Sequence, residues 1–271
     1  MRAAIISEYR KFFSTRAWWI LSILMVGGFL LLTLGAGWVI GWQLRTAGRA
    51  DLVEVLSMWQ PVIFGLGIAM GYLFPVIIGA LAVTSEYRHN TVVPTFLGEP
   101  RRSVVMVAKA IAAVPMGFVV GLLATGSCIA GGSLGLKLGG IPQLVWTSQI
   151  ALGALQSVLA LTVWTMIGVG LGMLITNQVG VIVTVLAFTQ LIEPILRIGL
   201  SMSRSTAPIT KYLPGAASDA LGGGHSIFSI IATAGRSGQA LTSLQGGVVL
   251  AAYGLVFALV GYLFRIRRSV A

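Results

Sequence analysis

At 271 residues, with 56% hydrophobic and only 9% charged side chains, the chain carries too few charges to cover a water-soluble globule of its size, where about a quarter charged is usual. A net charge of +11 would point a soluble protein towards nucleic acid; on a chain this apolar it sets topology and meets anionic head groups, so no nucleic-acid partner is expected. The single cysteine, Cys128, lies among small apolar neighbours and excludes an internal disulfide.

The first 16 residues, MRAAIISEYRKFFSTR, set Ile5, Ile6, Tyr9, Phe12 and Phe13 mostly on one helical face and basic residues on the other. That is the pattern of an amphipathic helix lying in a membrane interface. Charge-free runs follow at Ala17–Leu44, Val55–Ser85, Ala110–Leu136, Leu138–Ile192 and Ser237–Phe264. About 20 apolar residues cross the hydrocarbon core as a helix, so four of these runs hold one span each. The run Leu138–Ile192 holds two, parted at Thr176-Asn177-Gln178. The spans are expected at about 18–41, 61–83, 107–131, 146–175, 179–196 and 246–264, within one transmembrane domain covering 1–271. Lipid offers no partner to backbone N–H and C=O groups, and the alternation of a barrel strand is absent, so the fold class is an all-α integral membrane protein. The first run is too long for a cleaved leader, and the pairs Trp18/Trp19 and Trp38/Trp42 sit at its ends like interface anchors.

Six spans bring both termini to one side. That side carries eleven basic residues, among them Arg10, Lys11, Arg16, Arg88, Arg101 and Lys109, against three acids, Glu8, Glu86 and Glu99. The positive-inside rule then places the termini in the cytoplasm.

Between the second and third spans, segment 84–106 opens TSEYRHNTVVPTFLGEPRRS, too long for a simple turn. Pro94 and Pro100 end or kink any helix there, and Thr91 is placed to cap a short one. One reading is a short amphipathic helix along the membrane face that offers Tyr87, Phe96 and the charges to a cytoplasmic partner. The other is a basic loop that fixes topology and binds lipid.

The stretch SEYRHNTVVPTFLGEPRRSVVMVAK resembles the segment after the second span of ABC-2-type transporter permeases. Glu86, Thr91, the apolar patch Val92–Leu97, Pro100, Arg101 and Lys109 fall on that family's pattern. Asn90 stands where the family commonly has Gly, and Asn is the next best residue for a left-handed turn. KYLPGAASDALGGG, Lys211 to Gly224, is similar to the family's external segment, here 197–245. The resemblance implies an ABC-2 (type V exporter-like) permease fold, with 1–16 as the interfacial helix and 84–106 as the segment that couples to an ATPase. The coupling residues would be Glu86, Tyr87, Arg88, Asn90, Thr91, Pro94, Phe96, Pro100, Arg101 and Lys109. It implies two copies of an ABC ATP-binding subunit, a second permease chain as homodimer or heterodimer, and surrounding membrane lipids in a bacterial plasma membrane. ATP and Mg would sit on the partner subunit: no lysine follows a glycine, so the chain has no P-loop and is expected to bind no cofactor.

Other chemistry is thinly supported. Gly131–Gly135, GGSLG, fits Gly-x-Ser-x-Gly, but Ser133 needs a base. His89 is expected across the membrane from it, and His225 lies in the external GGGHS. Small residues ending a helix account for the motif. No acid, His or Cys cluster has metal-ligand spacing. Gly-x3-Gly pairs at Gly37/Gly41, Gly67/Gly71, Gly117/Gly121 and Gly168/Gly172 mark close helix contacts. Glu193 is the one acid close to a span, four residues before Arg197 and just before Pro194. It reads either as an interfacial ion pair or as a candidate external gate, where span five bends into a segment that dips back into the membrane. A channel or scaffold without ATP coupling is the main alternative, although no span shows a charge-lined face.

Overall fold

The computed structural model describes residues 1–46, 52–141, 146–203, 205–224 and 241–267, all of whose regular elements are helical. Helix α1 (Arg2–Ser14) is followed by α2 (Arg16–Thr46), α3 (Leu52–Gly71), α4 (Leu73–Arg88), α5 (Val92–Gly98) and α6 (Arg102–Leu138). Then come α7 (Ser148–Leu174), α8 (Gln178–Ala187), a π-helical turn at Phe188–Ile192, α9 (Glu193–Ser201), α10 (Ala207–Thr210), α11 (Pro214–Leu221) and α12 (Ser243–Arg267). Six stretches among the described residues are long and apolar enough to cross a membrane: Arg16–Thr46, Val55–Arg88, Ser103–Leu138, Ser148–Leu174, Gln178–Ser201 and Ser243–Phe264.

All of these spans but the fourth outrun the bounds expected from the sequence, because helical hydrogen bonding does not stop where hydrophobicity does. At 1.5 Å per residue, α6 is about 55 Å long, well beyond about 30 Å of hydrocarbon. Two spans are interrupted for reasons visible in the chain. Pro75 has no N–H to give Gly71, and the helix breaks between α3 and α4 at Tyr72. Pro194 likewise follows the π turn in span five. The turn between α7 and α8 is the expected one, and the Asn177 side chain caps α8 by accepting from the N–H groups of Val179 and Gly180 at 3.0 and 3.1 Å.

Spans two, three and four form the inside of the bundle. The most apolar windows of spans two and four are 72% buried, whereas those of spans one, five and six are 22%, 22% and 17% buried and face outward. Leu31, Ile23, Val183 and Leu255 are among the large apolar side chains left exposed on those outer helices. A water-soluble protein does not carry such a belt; a multi-pass membrane protein does.

All four Gly-x3-Gly pairs lie at close contacts. A Cβ on Gly37 or Gly41 would meet the α6 backbone, one on Gly67 would meet Cys128, and one on Gly71 would meet Phe29. Gly117 and Gly121 lie against α7, and Gly168 and Gly172 against α4. The expectation that Gly131–Gly135 ends a helix is corrected: α6 runs on to Leu138, and Gly131 and Gly135 let α2 approach its backbone. The base of the bundle carries α1, α5 and the α7–α8 turn; the crown is the opposite end.

Candidate functional site

At the base, four charged side chains from three helices close a ring. Glu8 and Lys11 come from α1, Glu86 from the last turn of α4, and Lys109 from the second turn of α6. Lys109 Nζ lies 2.6 Å from Glu8 Oε2 and 2.9 Å from Glu86 Oε1. Lys11 Nζ lies 3.0 Å from Glu8 Oε1 and 2.8 Å from Glu86 Oε1. Charges alternate around the ring and sum to zero. Each ammonium also donates to a third oxygen, Lys11 to Thr95 Oγ1 at 3.0 Å and Lys109 to the carbonyl of Ala82 at 3.3 Å. All three donors of each lysine therefore have acceptors, which is what makes burial of these charges tolerable.

Burial pushes the Lys11 ammonium down, while the hydrogen bond and charge of Glu86 and the charge of Glu8 push it up; the net shift is upward, so Lys11 stays charged. Thr95 belongs to α5, so the ring binds the short helix to α1, α4 and α6 at once.

Glu86 and Lys109 are buried, not offered outward as the sequence reading expected of the charges in this segment. Tyr87 and Phe96 are half-buried too, packed on a cluster that includes Val83, Met106 and Met173. What α5 presents is apolar: Val93 is 65% exposed and Leu97 80%. Arg88, His89, Asn90, Thr91, Pro94, Pro100 and Arg101 are exposed around it. Arg88 donates to Gln178 across the base at 3.1 Å, tying the end of span two to the start of span five.

The chain turns from α4 into α5 at Asn90, whose φ of 55° is the left-handed conformation expected there. The Thr91 N–H closes the turn on the carbonyl of Glu86 at 2.9 Å. Thr91 precedes α5 without capping it: its hydroxyl turns back to the Glu86 carbonyl at 3.5 Å. Glu99 to Arg101, with Pro100 between them, link α5 to α6 without a helix, and the Arg101 N–H donates to Glu99 Oε1 at 3.3 Å. On α1, the face turned inward carries Glu8 beside Phe12, whereas Ile6 and Phe13 are about half exposed. The amphipathic pattern hid an acid on the buried side.

The second cluster lies deep in the bundle. Glu193 is fully buried, and its Oε1 accepts from Arg197 Nε at 3.2 Å, Arg197 Nη2 at 2.9 Å and the N–H of Gly215 at 2.6 Å. Arg197 Nη1 reaches Asp219 Oδ2 at 2.7 Å. The pair is therefore enclosed by protein and not exposed on its surface. It is a triad in which Arg197 bridges span five to α11, and Glu193 Oε2 is buried without a hydrogen-bond partner. Helix α11 does dip into the bundle: Ser218 accepts from Trp164 Nε1 at 3.0 Å. Trp164 lies sixteen residues into α7 from its crown end, a depth of about 24 Å.

Span five bulges for a connected reason. Glu193 N–H reaches back five residues to the Phe188 carbonyl. The next donor in that pattern would serve Thr189, but it is Pro194, which has none. Tyr72 supplies the bond, its hydroxyl donating to the Thr189 carbonyl at 3.1 Å while its ring stacks on Trp164 at 4.6 Å. The kink of span two and the bulge of span five thus meet at one hydrogen bond.

Ser133 lies on α6 31 residues beyond Arg102, about 46 Å along the helix, whereas His89 is at the base. Residues 204 and 225–240 of segment 197–245, His225 among them, lie outside the described residues. Among the described residues no group of acids, His and Cys is placed to hold a metal. No protein-family model matches the chain, and comparison with curated proteins finds no match.

Proposed function

We propose that the chain is the membrane-spanning permease subunit of an ATP-driven exporter, with α5 as the surface on which a separate ATPase subunit presses. The observation that carries this reading is mechanical. The outer face of α5 offers Val93 and Leu97 to a partner, while its root is fixed through Thr95 to an ionic ring that spans α1, α4 and α6. A push on α5 is then passed to the start of spans one and three and the end of span two together. Such a rigid contact can bias a helix bundle between two arrangements. In this reading the base is cytoplasmic, the membrane is a bacterial plasma membrane, and a second permease chain completes the path. The cargo is hydrophobic or amphipathic, in keeping with Leu-, Val- and Phe-rich spans.

The test is co-expression and co-purification with a P-loop ABC ATPase subunit, followed by reconstituted transport. Replacing both Val93 and Leu97 by Asp puts charge on the exposed face without touching the ring. The expected result is loss of the ATPase from the purified complex and loss of ATP-driven transport, with normal membrane insertion. Full transport by this variant would reject α5 as the docking surface.

A further inference from the structure

A cavity of about 1020 Å³ opens at the base between α1, the first turns of α2, the end of α4, α5 and the start of α6. It is at the upper end of what small-molecule sites occupy, about 300–1,000 Å³. Its lining is graded in the same sense on two separate helices. In span one Arg16 gives way to Trp18 and Leu21, and in span two Arg88 and Ser85 give way to Leu81 and Ile78, while span three adds Val105, Lys109, Ala112 and Met116. Polar groups are thus at the rim and apolar ones at depth, which is the polarity profile of a membrane amphiphile with its head at the interface.

The sign of the head group follows from the charges. The buried ring of Glu8, Lys11, Glu86 and Lys109 lines the cavity but is internally neutral. What remains around the mouth is Arg16 and Arg88 against Glu99, an excess of positive charge.

We propose that this cavity is a binding site for one anionic phospholipid of the adjoining leaflet, its phosphate between Arg16 and Arg88 and an acyl chain against Leu21, Leu81 and Met116. The inference needs only that the chain sits in a membrane and does not rest on the exporter reading. The lipid fills the wedge between α1 and the bundle and shares its walls with α5 and the ring.

The test is native mass spectrometry of the detergent-purified chain, titrated with phosphatidylglycerol or with phosphatidylcholine of the same acyl chains. Wild-type protein is expected to retain one phosphatidylglycerol with about 30-fold preference, in line with two cations near a head group. The Arg16→Gln/Arg88→Gln variant should lose that preference while still binding both lipids weakly, and Ala82→Phe, which fills the cavity, should bind neither. Glycerol 1-phosphate should not displace the lipid, because it lacks the chain. Equal retention of the two lipids by wild type, a preference that survives in the double Gln variant, or displacement by glycerol 1-phosphate would each overturn the proposal. Should Ala82→Phe fail to fold, the charge variant still decides.

Discussion

Lys109 Nζ and Glu8 Oε2, 101 residues apart in the chain, meet at 2.6 Å with both side chains buried. The contact pins an amphipathic N-terminal helix onto the start of the third span and puts α1 inside the mechanics of the base. Charges that a hydropathy profile assigns to the cytoplasmic surface here hold helices together.

Breaking the ring should be costly or cheap according to which lysine is removed. The Lys109 side chain is 2% exposed and that of Lys11 is 35% exposed. Lys109→Met leaves two carboxylates buried with half their compensation, and losing one partner of a buried pair costs about 3–5 kcal/mol. Lys11→Met removes a partner that water can partly replace, and the effect should be about 1 kcal/mol or less, as for solvent-exposed pairs. Thermal unfolding of both variants in the same detergent checks the order; equal losses would show that the ring is not the buried unit described.

The ring also has an alkaline limit. Interaction with Glu86 and Glu8 outweighs burial and raises Lys11 above the ordinary 10.5. A folded value above the unfolded one gives stability that is complete below 10.5 and lost as pH rises through the folded value. The stability gap between wild type and Lys11→Met should therefore hold constant up to that point and close above it. A gap that shrinks at neutral pH would contradict the assignment of Lys11 to the ring.

The spans could be read from charge-free runs, and the α7–α8 turn from the polar break at Thr176-Asn177-Gln178. The left-handed turn at Asn90 was expected from the resemblance, which sets Asn where Gly is common, because few residues tolerate positive φ. The direction in which a charge points was not legible. Glu86 stands beside Arg88 and His89 in the chain and Lys109 at the mouth of an apolar run, and neither position tells that the return of α1 across the base encloses both. Asp219 was missed as the third member of the buried triad because it lies 22 residues from Arg197 and reaches it only when α11 folds back into the bundle. A weak signal existed in the small residues of PGAASDAL, which suit a tightly buried helix.

Glycines that look alike in the sequence should respond in opposite ways. A Cβ on Gly135 would meet the backbone carbonyl of Leu34 and lie 2.9 Å from the Trp38 nitrogen, whereas one on Gly28 meets nothing. Backbone cannot rotate aside, so Gly135→Ala must part α2 from α6, and overpacking of this kind costs about 1–3 kcal/mol. Gly28→Ala should be neutral or stabilise by up to about 1 kcal/mol, through helix propensity alone. Unfolding of the two single variants in detergent checks the sign of each.

The Glu193–Arg197–Asp219 triad makes Gly215 a sharper probe than the charges themselves. Its N–H gives Glu193 Oε1 a bond of 2.6 Å, and a Cβ there would run into Glu193 Oε1 and Arg197 Nη2. Gly215→Ala should therefore lift the start of α11 out of the bundle without deleting a charge. Arg197→Met removes the bridge outright and leaves Glu193 and Asp219 as buried acids facing each other's charge. If the triad is a latch on α11, Cys placed at Ala216 should be slow to react with a membrane-impermeant maleimide in wild type. Gly215→Ala and Arg197→Met should both accelerate labelling, Arg197→Met by more. If the triad only adds stability to a fixed helix, both variants will lower the unfolding temperature and leave the labelling rate of the folded protein where it was.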